Sequence, residues 1–307
     1  KKEDREILVE MYGTEYEQGE TCERGYAFFS KAWKEMKFHC VKLEEVCRQK
    51  DAEFLGILND IKYGRNLQNV IAYLESNQSS DLMEEAPYLV GTNAKADKIN
   101  QAHMRALDEK TEKKFWAIIE GDVTYEDIKN ISFAKQSLVV NVGAKVMLTA
   151  NDANGEYVNG TMGTIIDISK ERGDATCIQV LTDKGKKVDV YRYEREIERQ
   201  DIEESKEKNK NGETVIVKKI VRKIVGSFKQ FPIKIAWAMS IHKSQGQTFG
   251  QVNIDPRCWD SGQFYVAVSR AESIEGIHFM VPIMKQYIRT LSDEVIKILR
   301  ESLYSII

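Results

Sequence analysis

The sequence predicts an α/β chain in which a parallel sheet is interrupted by a separate β-rich segment. Two observations predict the parallel sheet. A strand, a polar turn and a helix follow one another over residues 88–103, and the same α/β pattern returns after residue 252. A third predicts the interruption: from about 138 to 231, short alternating runs are separated by Asn154-Gly155, Asn159-Gly160 and Lys184-Gly185, the dipeptides of tight hairpin turns.

Taken in chain order, Phe38-His39-Cys40-Val41-Lys42-Leu43 alternates as a strand does. Asp51 is placed to cap a helix whose apolar residues Phe54, Ile57, Leu58 and Ile61 fall three and four apart, with Gly64 as its stop. Tyr88-Leu89-Val90 is a short buried strand, and Gly91-Thr92-Asn93 leads into a helix with Ala96, Ile99 and His103 on one face. Strands are expected at 144–150, 164–168, 177–181 and 187–191. Asn211-Gly212 before the run 214–225 signals a hairpin. Strands of this length and spacing suggest a small barrel. Strands at 252–254 and 277–281 flank a helical turn or two at 261–268, and a last helix begins at Ser292, with Asp293 and Glu294 in its first turn. Trp33 and Trp116 lie in apolar text and are expected in the core. Trp237 is expected to pack, base stacking being the alternative, and His103 is expected to lie on a helix face.

Composition narrows the function classes. The 307 residues allow two domains, 42% are hydrophobic, and no apolar run reaches the length of a membrane span. A net charge of −3 makes no general case for nucleic-acid binding, which then needs a local basic groove. Cys22, Cys40, Cys47, Cys177 and Cys258 form no C-x-x-C pair and the four His have no metal spacing, so a reduced, metal-free cytoplasmic protein is expected. The charged start Lys1-Lys2-Glu3-Asp4-Arg5-Glu6 has no apolar signal region behind it. Residues 206–223 carry seven Lys or Arg against two Glu. That arm suits a single-strand channel or, equally, a solvated edge that discourages strand pairing.

There is no G-x-x-x-x-G-K-[ST] loop, no apolar strand ending in Asp-Glu, no nucleophile elbow and no metal-binding His pair. Gly160-Thr161-Met162-Gly163 reads as turn glycines. Two stretches carry chemistry. In Ala236-Trp237-Ala238-Met239-Ser240-Ile241-His242-Lys243-Ser244-Gln245-Gly246-Gln247-Thr248-Phe249, donors crowd around one glycine directly after an apolar run, as a phosphate-contacting turn requires; the alternative is a polar loop. In Gly262-Gln263-Phe264-Tyr265-Val266-Ala267-Val268-Ser269-Arg270-Ala271, an arginine leaves an apolar helix end. It is either an arginine finger or one half of a structural ion pair.

These residues also resemble motifs V and VI of superfamily 1 helicases, specifically the Pif family and its RecD/Dda relatives. Leu43-Glu44-Glu45-Val46-Cys47-Arg48-Gln49 is similar to motif IV, and Gly91-Thr92-Asn93 with Ile99-Asn100 to the family's Thr-Asn element. Val142-Gly143-Ala144-Lys145-Val146-Met147-Leu148 with Tyr157-Val158-Asn159-Gly160-Thr161-Met162-Gly163 resembles the start of its inserted SH3-like barrel. The resemblance covers roughly residues 26–283 and implies a RecA-like domain without its own P-loop: 1–137 its first part, 138–231 the barrel, 232–307 the remainder. It implies the C-terminal motor half of an ATP-dependent 5′–3′ DNA helicase, bacterial-type and nucleoid-associated, with ATP and Mg2+ held mainly by an N-terminal RecA-like domain. Alone, such a chain is expected to be inactive.

By the same resemblance Arg48 and Arg270 reach the γ-phosphate, with Gln245, Gly246 and Thr248 near the nucleotide. Thr92, Asn93, His242, Lys243 and Ser244 meet the phosphates of single-stranded DNA. Many relatives carry Glu where Thr248 stands, which weakens the case for a ribose contact there. Two other readings stand beside this one: a non-catalytic single-strand-binding module built on 138–231, and a regulatory partner that supplies arginine fingers in trans.

Overall fold

A computed structural model describes residues 48–290 except 130, 132–134, 169–170, 173–174 and 209–213, together with positions 33, 35 and 36. The strand expected at 38–43, most of the motif IV segment, the Asn211-Gly212 turn and the helix expected from Ser292 lie outside the described residues. Cys47–Thr290 form one compact unit.

Helix α1 (Ala52–Tyr63) begins where Asp51 Oδ1 accepts the amides of Glu53 and Phe54 at 2.8 and 3.3 Å, and ends at Gly64 in the left-handed region. Helix α2 (Leu67–Asn77) follows, then strand β1 (Tyr88–Val90) and helix α3 (Asn93–Arg105), whose N-cap Thr92 accepts the amide of Lys95. Strands β2 (Lys113–Trp116) and β3 (Ile118–Gly121) and the short helix α4 (Tyr125–Ile128) come next. The β-rich run comprises β4 (Ser137–Val140), β5 (Lys145–Leu148), β6 (Met162–Asp167), β7 (Glu171–Arg172), β8 (Ala175–Thr176), β9 (Ile178–Thr182), β10 (Lys187–Val190), β11 (Tyr193–Lys208), β12 (Thr214–Gln230) and β13 (Ile233–Ile235). The α/β pattern then resumes with β14 (Ala238–Ser240), β15 (Val252–Ile254), α5 (Gln263–Val268) and β16 (Ile277–Phe279).

Strands β14, β1, β15 and β16 form, in that order, an all-parallel sheet. Its two faces are both covered, as parallel sheets require. Leu89, Met239, Val252, Ile254 and Ile277 pack with Phe54, Leu58, Leu74 and Phe264, whereas Tyr88, Val90 and Ala238 pack with Ala96 of α3. The alternation of Tyr88, Leu89 and Val90 between those cores is the two-residue period of a strand.

The expected barrel is not found among the described residues. Strands β10, β9, β6, β5 and β13 form an open antiparallel sheet with β10 and β13 at its edges. Its core is made by Val140, Val146, Leu148, Ile165, Ile178, Val180, Phe231 and Trp237. The long strands β11 and β12 leave that sheet and pair with each other from Tyr193↔Gln230 to Lys208↔Thr214, and β12 also pairs with β3. On the described part of this hairpin, basic residues meet carboxylates. Lys223 lies 2.8 Å from Asp201, Lys229 3.4 Å from Glu194 and Arg222 3.8 Å from Glu198.

Two tryptophans depart from expectation. Trp116 is 61% exposed. In a strand the neighbouring residue takes the opposite face, and Phe115 takes the inner one, its ring 4.8 Å from that of Phe231. Trp116 is left under the ammonium of Lys114, 4.4 Å from its ring centre. Trp33 is also exposed. Trp237, by contrast, is buried and stacks on His103 at 5.1 Å, which leaves its ring no face for a base. Among the described residues no helix is long and apolar enough to cross a membrane.

Helix α3 is tied to the sheet's edge by one side chain. Asn100 Nδ2 donates to the carbonyl of Ala238 and its Oδ1 accepts the amide of Ala238, both at 2.8 Å, which pairs the outer backbone groups of edge strand β14. Asn100→Ala leaves both groups buried and unpaired, a cost of about 1–3 kcal/mol. The urea midpoint should fall by that energy divided by the m-value, with m itself unchanged; an unchanged midpoint would show that water replaces the amide without penalty.

Candidate functional site

The parallel pairing brings two distant segments together. Val90 is in register with Ser240, so Gly91-Thr92-Asn93 and Ile241-His242-Lys243 leave neighbouring strand ends side by side. The first segment opens α3, where Lys95 and Arg257 both pair with the buried carboxylate of Asp255 at the end of β15. Burial, and then the Arg257 charge, lower the Lys95 pKa. Gly91 has two further restraints: its carbonyl accepts Trp259 Nε1 at 3.2 Å and Gln263 Nε2 at 3.1 Å. The indole edge is thereby fixed while the side chain of Trp259 stays 55% exposed.

The second segment is a tight 3-10 turn, Ile241–Ser244. His242 and Lys243 are exposed, and His242 Nε2 lies 3.8 Å from Asp260. Ser244 is fully buried and its hydroxyl donates to the Ile241 carbonyl at 2.7 Å. Expected to meet a phosphate, its side chain instead holds the turn closed. Gln245 is exposed, and Gly246 follows at φ +87°, a conformation that side chains other than glycine's rarely adopt. Its N–H donates to no acceptor among the described residues.

Past Gly246 the turn meets both arginines. Arg48 Nε donates to Thr248 Oγ1 at 2.9 Å and its NH1 to the Ser269 carbonyl at 3.0 Å. Arg270, at the end of α5, donates to the Val266 carbonyl at 3.0 Å, the Gln247 carbonyl at 3.4 Å and Ser269 Oγ at 3.0 Å. Gln49 Nε2 fixes the same loop through the carbonyls of Ser269 and Ala271, at 3.0 and 2.9 Å. Every acceptor is neutral. Among the described residues neither guanidinium has a carboxylate within ion-pair distance, so the structural ion pair considered for Arg270 is absent there. Burial, followed by the charge of Arg48, lowers the Arg270 pKa. Two like charges thus converge on Ser269 with hydrogen-bonding capacity to spare, an arrangement suited to a polyanion.

The expected residues therefore fall into two groups on one turn. Thr92, Asn93, His242 and Lys243 share the strand ends, whereas Arg48, Thr248 and Arg270, with Gly246 before them, share the far end. Sequence reasoning missed Gln49, Asp255, Arg257, Trp259, Gln263 and Ser269. Asp255 follows directly on the apolar strand 252–254, a position that signals a site in a parallel sheet, but nothing local shows that it meets Lys95.

Comparison with known proteins bears on the chain as a whole. The chain is 30% identical over 263 residues to ATP-dependent DNA helicase Pif1 of Bdellovibrio bacteriovorus, an alignment spanning 85% of this chain and 54% of that protein. Pif1 of Campylobacter jejuni is 29% identical over 80% of the chain, and human PIF1 27% over 83%. The chain is a relative of the Pif1 helicases. Pif1 from Bacteroides sp. in complex with ADP-AlF4 superposes with a TM-score of 0.71 at 27% identity, covering 99% of this chain and 64% of that one. Bacteroides Pif1 bound to ssDNA gives 0.64 at 27% identity. The chain spans about half the length of the bacterial Pif1 relatives it matches, and 37% of human PIF1. No protein-family model matches it.

An oxyanion held by the two guanidinium groups should stabilise the fold. At matched ionic strength, sulfate should raise the melting temperature of the chain above its value in chloride, and Arg270→Met should lose most of that increment. An increment of equal size in the variant would mean that sulfate acts only by exclusion from the surface.

Proposed function

We propose that the chain is the second, RecA-like motor domain of an ATP-dependent DNA helicase that translocates 5′–3′ on single-stranded DNA. The observation that carries this reading is the convergence of Arg48 and Arg270, with no carboxylate in ion-pair distance among the described residues, on the far end of the turn that presents His242 and Lys243. The relationship to Pif1 helicases supports it. The open antiparallel sheet, whose strands run from β5 to β13, overlaps the segment 138–231 for which the resemblance implies an inserted SH3-like barrel.

ATP with Mg2+ supplies the phosphoryl group that is transferred to water. The described residues suit only one end of it. Arg48 and Arg270 can each donate to phosphate oxygens, and the Gly246 N–H, without an acceptor among the described residues, suits the same use. Gln245 and Thr248 flank this position; Thr248 already accepts from Arg48, so it orients that guanidinium and is not required to reach a ribose. The metal and the rest of the nucleotide are assigned, through the resemblance, to an N-terminal RecA-like domain, the partner across the cleft.

Thr92, Asn93, His242 and Lys243 would hold the sugar-phosphate backbone without reading bases, which suits a motor that passes over any sequence. Ser244 contributes by closing the turn. Because Ile241–Ser244 and Gly246–Thr248 are nearly consecutive, closure of the arginines on phosphate moves the strand contacts with them.

The chain alone should hydrolyse no ATP above background; measurable turnover by a pure sample would overturn the placing of the ATP site on another domain. With the N-terminal RecA-like domain restored, Arg270→Ala should cut DNA-stimulated hydrolysis on the order of a thousandfold while ATP still binds. Unchanged hydrolysis would make the arginine structural. Lys243→Ala should weaken single-stranded DNA binding equally for all sequences and flatten its salt dependence by about 0.7 for each phosphate that is no longer neutralised. An effect confined to particular sequences would point to base recognition instead.

A further inference from the structure

A second cationic surface lies beyond the turn. Helix α3 and the strands β13 and β14 enclose a groove of about 700 Å³ whose basic wall carries Lys135, Lys234 and Lys243. Lys243 belongs to the turn already described, so the groove is continuous with it. Among the described residues none of these three ammonium groups has a carboxylate within ion-pair distance. The opposite wall differs in chemistry, with the amides of Asn93 and Gln101 and the thioether of Met104. Asp97, Arg105, Glu109 and Glu112 complete the charged groups that face the groove.

Lys234 is the central member. It sits in the middle of the three-residue strand β13, in register with Met147 of β5, and is only partly accessible. Its backbone is fixed by the sheet, and the charges of Lys243 and Lys135 lie near enough to act on its ammonium. Three like charges held together without a paired counter-ion repel one another, and an anion entering the groove relieves that repulsion.

We propose that the groove between α3 and β13–β14 continues the path of the single strand, with Lys234 meeting a backbone phosphate one step beyond those held by Lys243 and the bases lying toward Gln101 and Met104. This rests on the nucleic-acid reading of the turn and extends it. Burial, then the charges of Lys243 and Lys135, push the Lys234 pKa down to about 8. In the free chain Lys234 is therefore mostly charged at pH 7 and mostly neutral at pH 9. A bound phosphate favours the charged form, so binding takes up a proton near and above pH 8, and the contact weakens as pH rises from 7 to 9.

The test is fluorescence anisotropy of a labelled oligo-dT with the 307-residue chain, across salt and pH, for wild type, Lys234→Met, Lys234→Arg and Lys243→Ala. Lys234→Met should weaken binding about tenfold at pH 7 and low salt, reduce the salt slope by about 0.7 and remove the loss of affinity between pH 7 and 9. Lys234→Arg, charged throughout this range, should keep the pH 7 affinity and hold it to pH 9. Wild-type affinity and salt slope in Lys234→Met, with Lys243→Ala weakened, would overturn the groove and leave the turn's role standing. Weakening by Lys234→Met but not by Lys243→Ala would keep the groove and remove the turn as a phosphate contact. No binding by the wild-type chain would overturn both. Displacement of oligo-dT by inorganic tripolyphosphate at the same phosphate concentration would mark a free-anion site and overturn the proposal.

Discussion

Two guanidinium groups, one from the segment before α1 and one from the end of α5, share the oxygens of Ser269 with no carboxylate beside them among the described residues. Such an arrangement persists only where the surrounding backbone over-determines it. Gln49 does so from one side, by bonding the carbonyls of Ser269 and Ala271. The isolated bridge between Phe249 and Ala271 does so from the other, with the Phe249 amide bonded to the Arg270 carbonyl at 2.9 Å. Neutral acceptors keep the arginines in place without neutralising them, which the proposed phosphate contact requires. An ion pair would have stabilised the site locally and cancelled that charge.

The parallel sheet translates that constraint into geometry. Because β14 lies beside β1 in register, the turn after Ser240 and the turn after Val90 open side by side. Neither can shift by one residue without moving its side chains to the wrong face of a sheet buried on both sides. Asn100 closes the exposed edge of β14, and the Asp255 pairs with Lys95 and Arg257 hold the start of α3. A rigid frame thus carries a short turn with basic residues at either end, the physical form that coupling between the two proposed phosphate-binding surfaces requires.

How much of this was legible from residues alone varies with how local the signal is. The cap at Asp51, the stop at Gly64 and the strands at 88–90 and 252–254 were readable because each depends on a few neighbours. Asn100 stood in plain view within the Thr-Asn element, yet its role is to pair an edge strand that lies 138 residues away in the chain. Ser244 is assigned to a DNA phosphate by its place in the motif V resemblance, whereas a bond to Ile241, three residues back, takes its hydroxyl inward. Trp116 looked like core because its neighbours are apolar, and the strand period turned it outward once Phe115 took the inner face. The barrel failed for a different reason. Strand lengths and turn signals do not say which strands pair, and β11 and β12 paired with each other rather than closing the sheet.

The order of motifs, the glycine-centred donor turn and the arginine at the end of an apolar helix all belong to the linear chain, because they are matters of residue type and near spacing. They yield the α/β class, the relationship to Pif1 helicases and the choice of Arg48, His242, Lys243 and Arg270. Tertiary structure alone decided that Arg48 and Arg270 meet at Ser269, that Asp255 anchors α3, that Trp237 is spent on His103, and that Lys234 faces the same groove as Lys243. Each of these depends on a contact between residues far apart in sequence or on which face of a strand is buried, and neither is encoded at any single position.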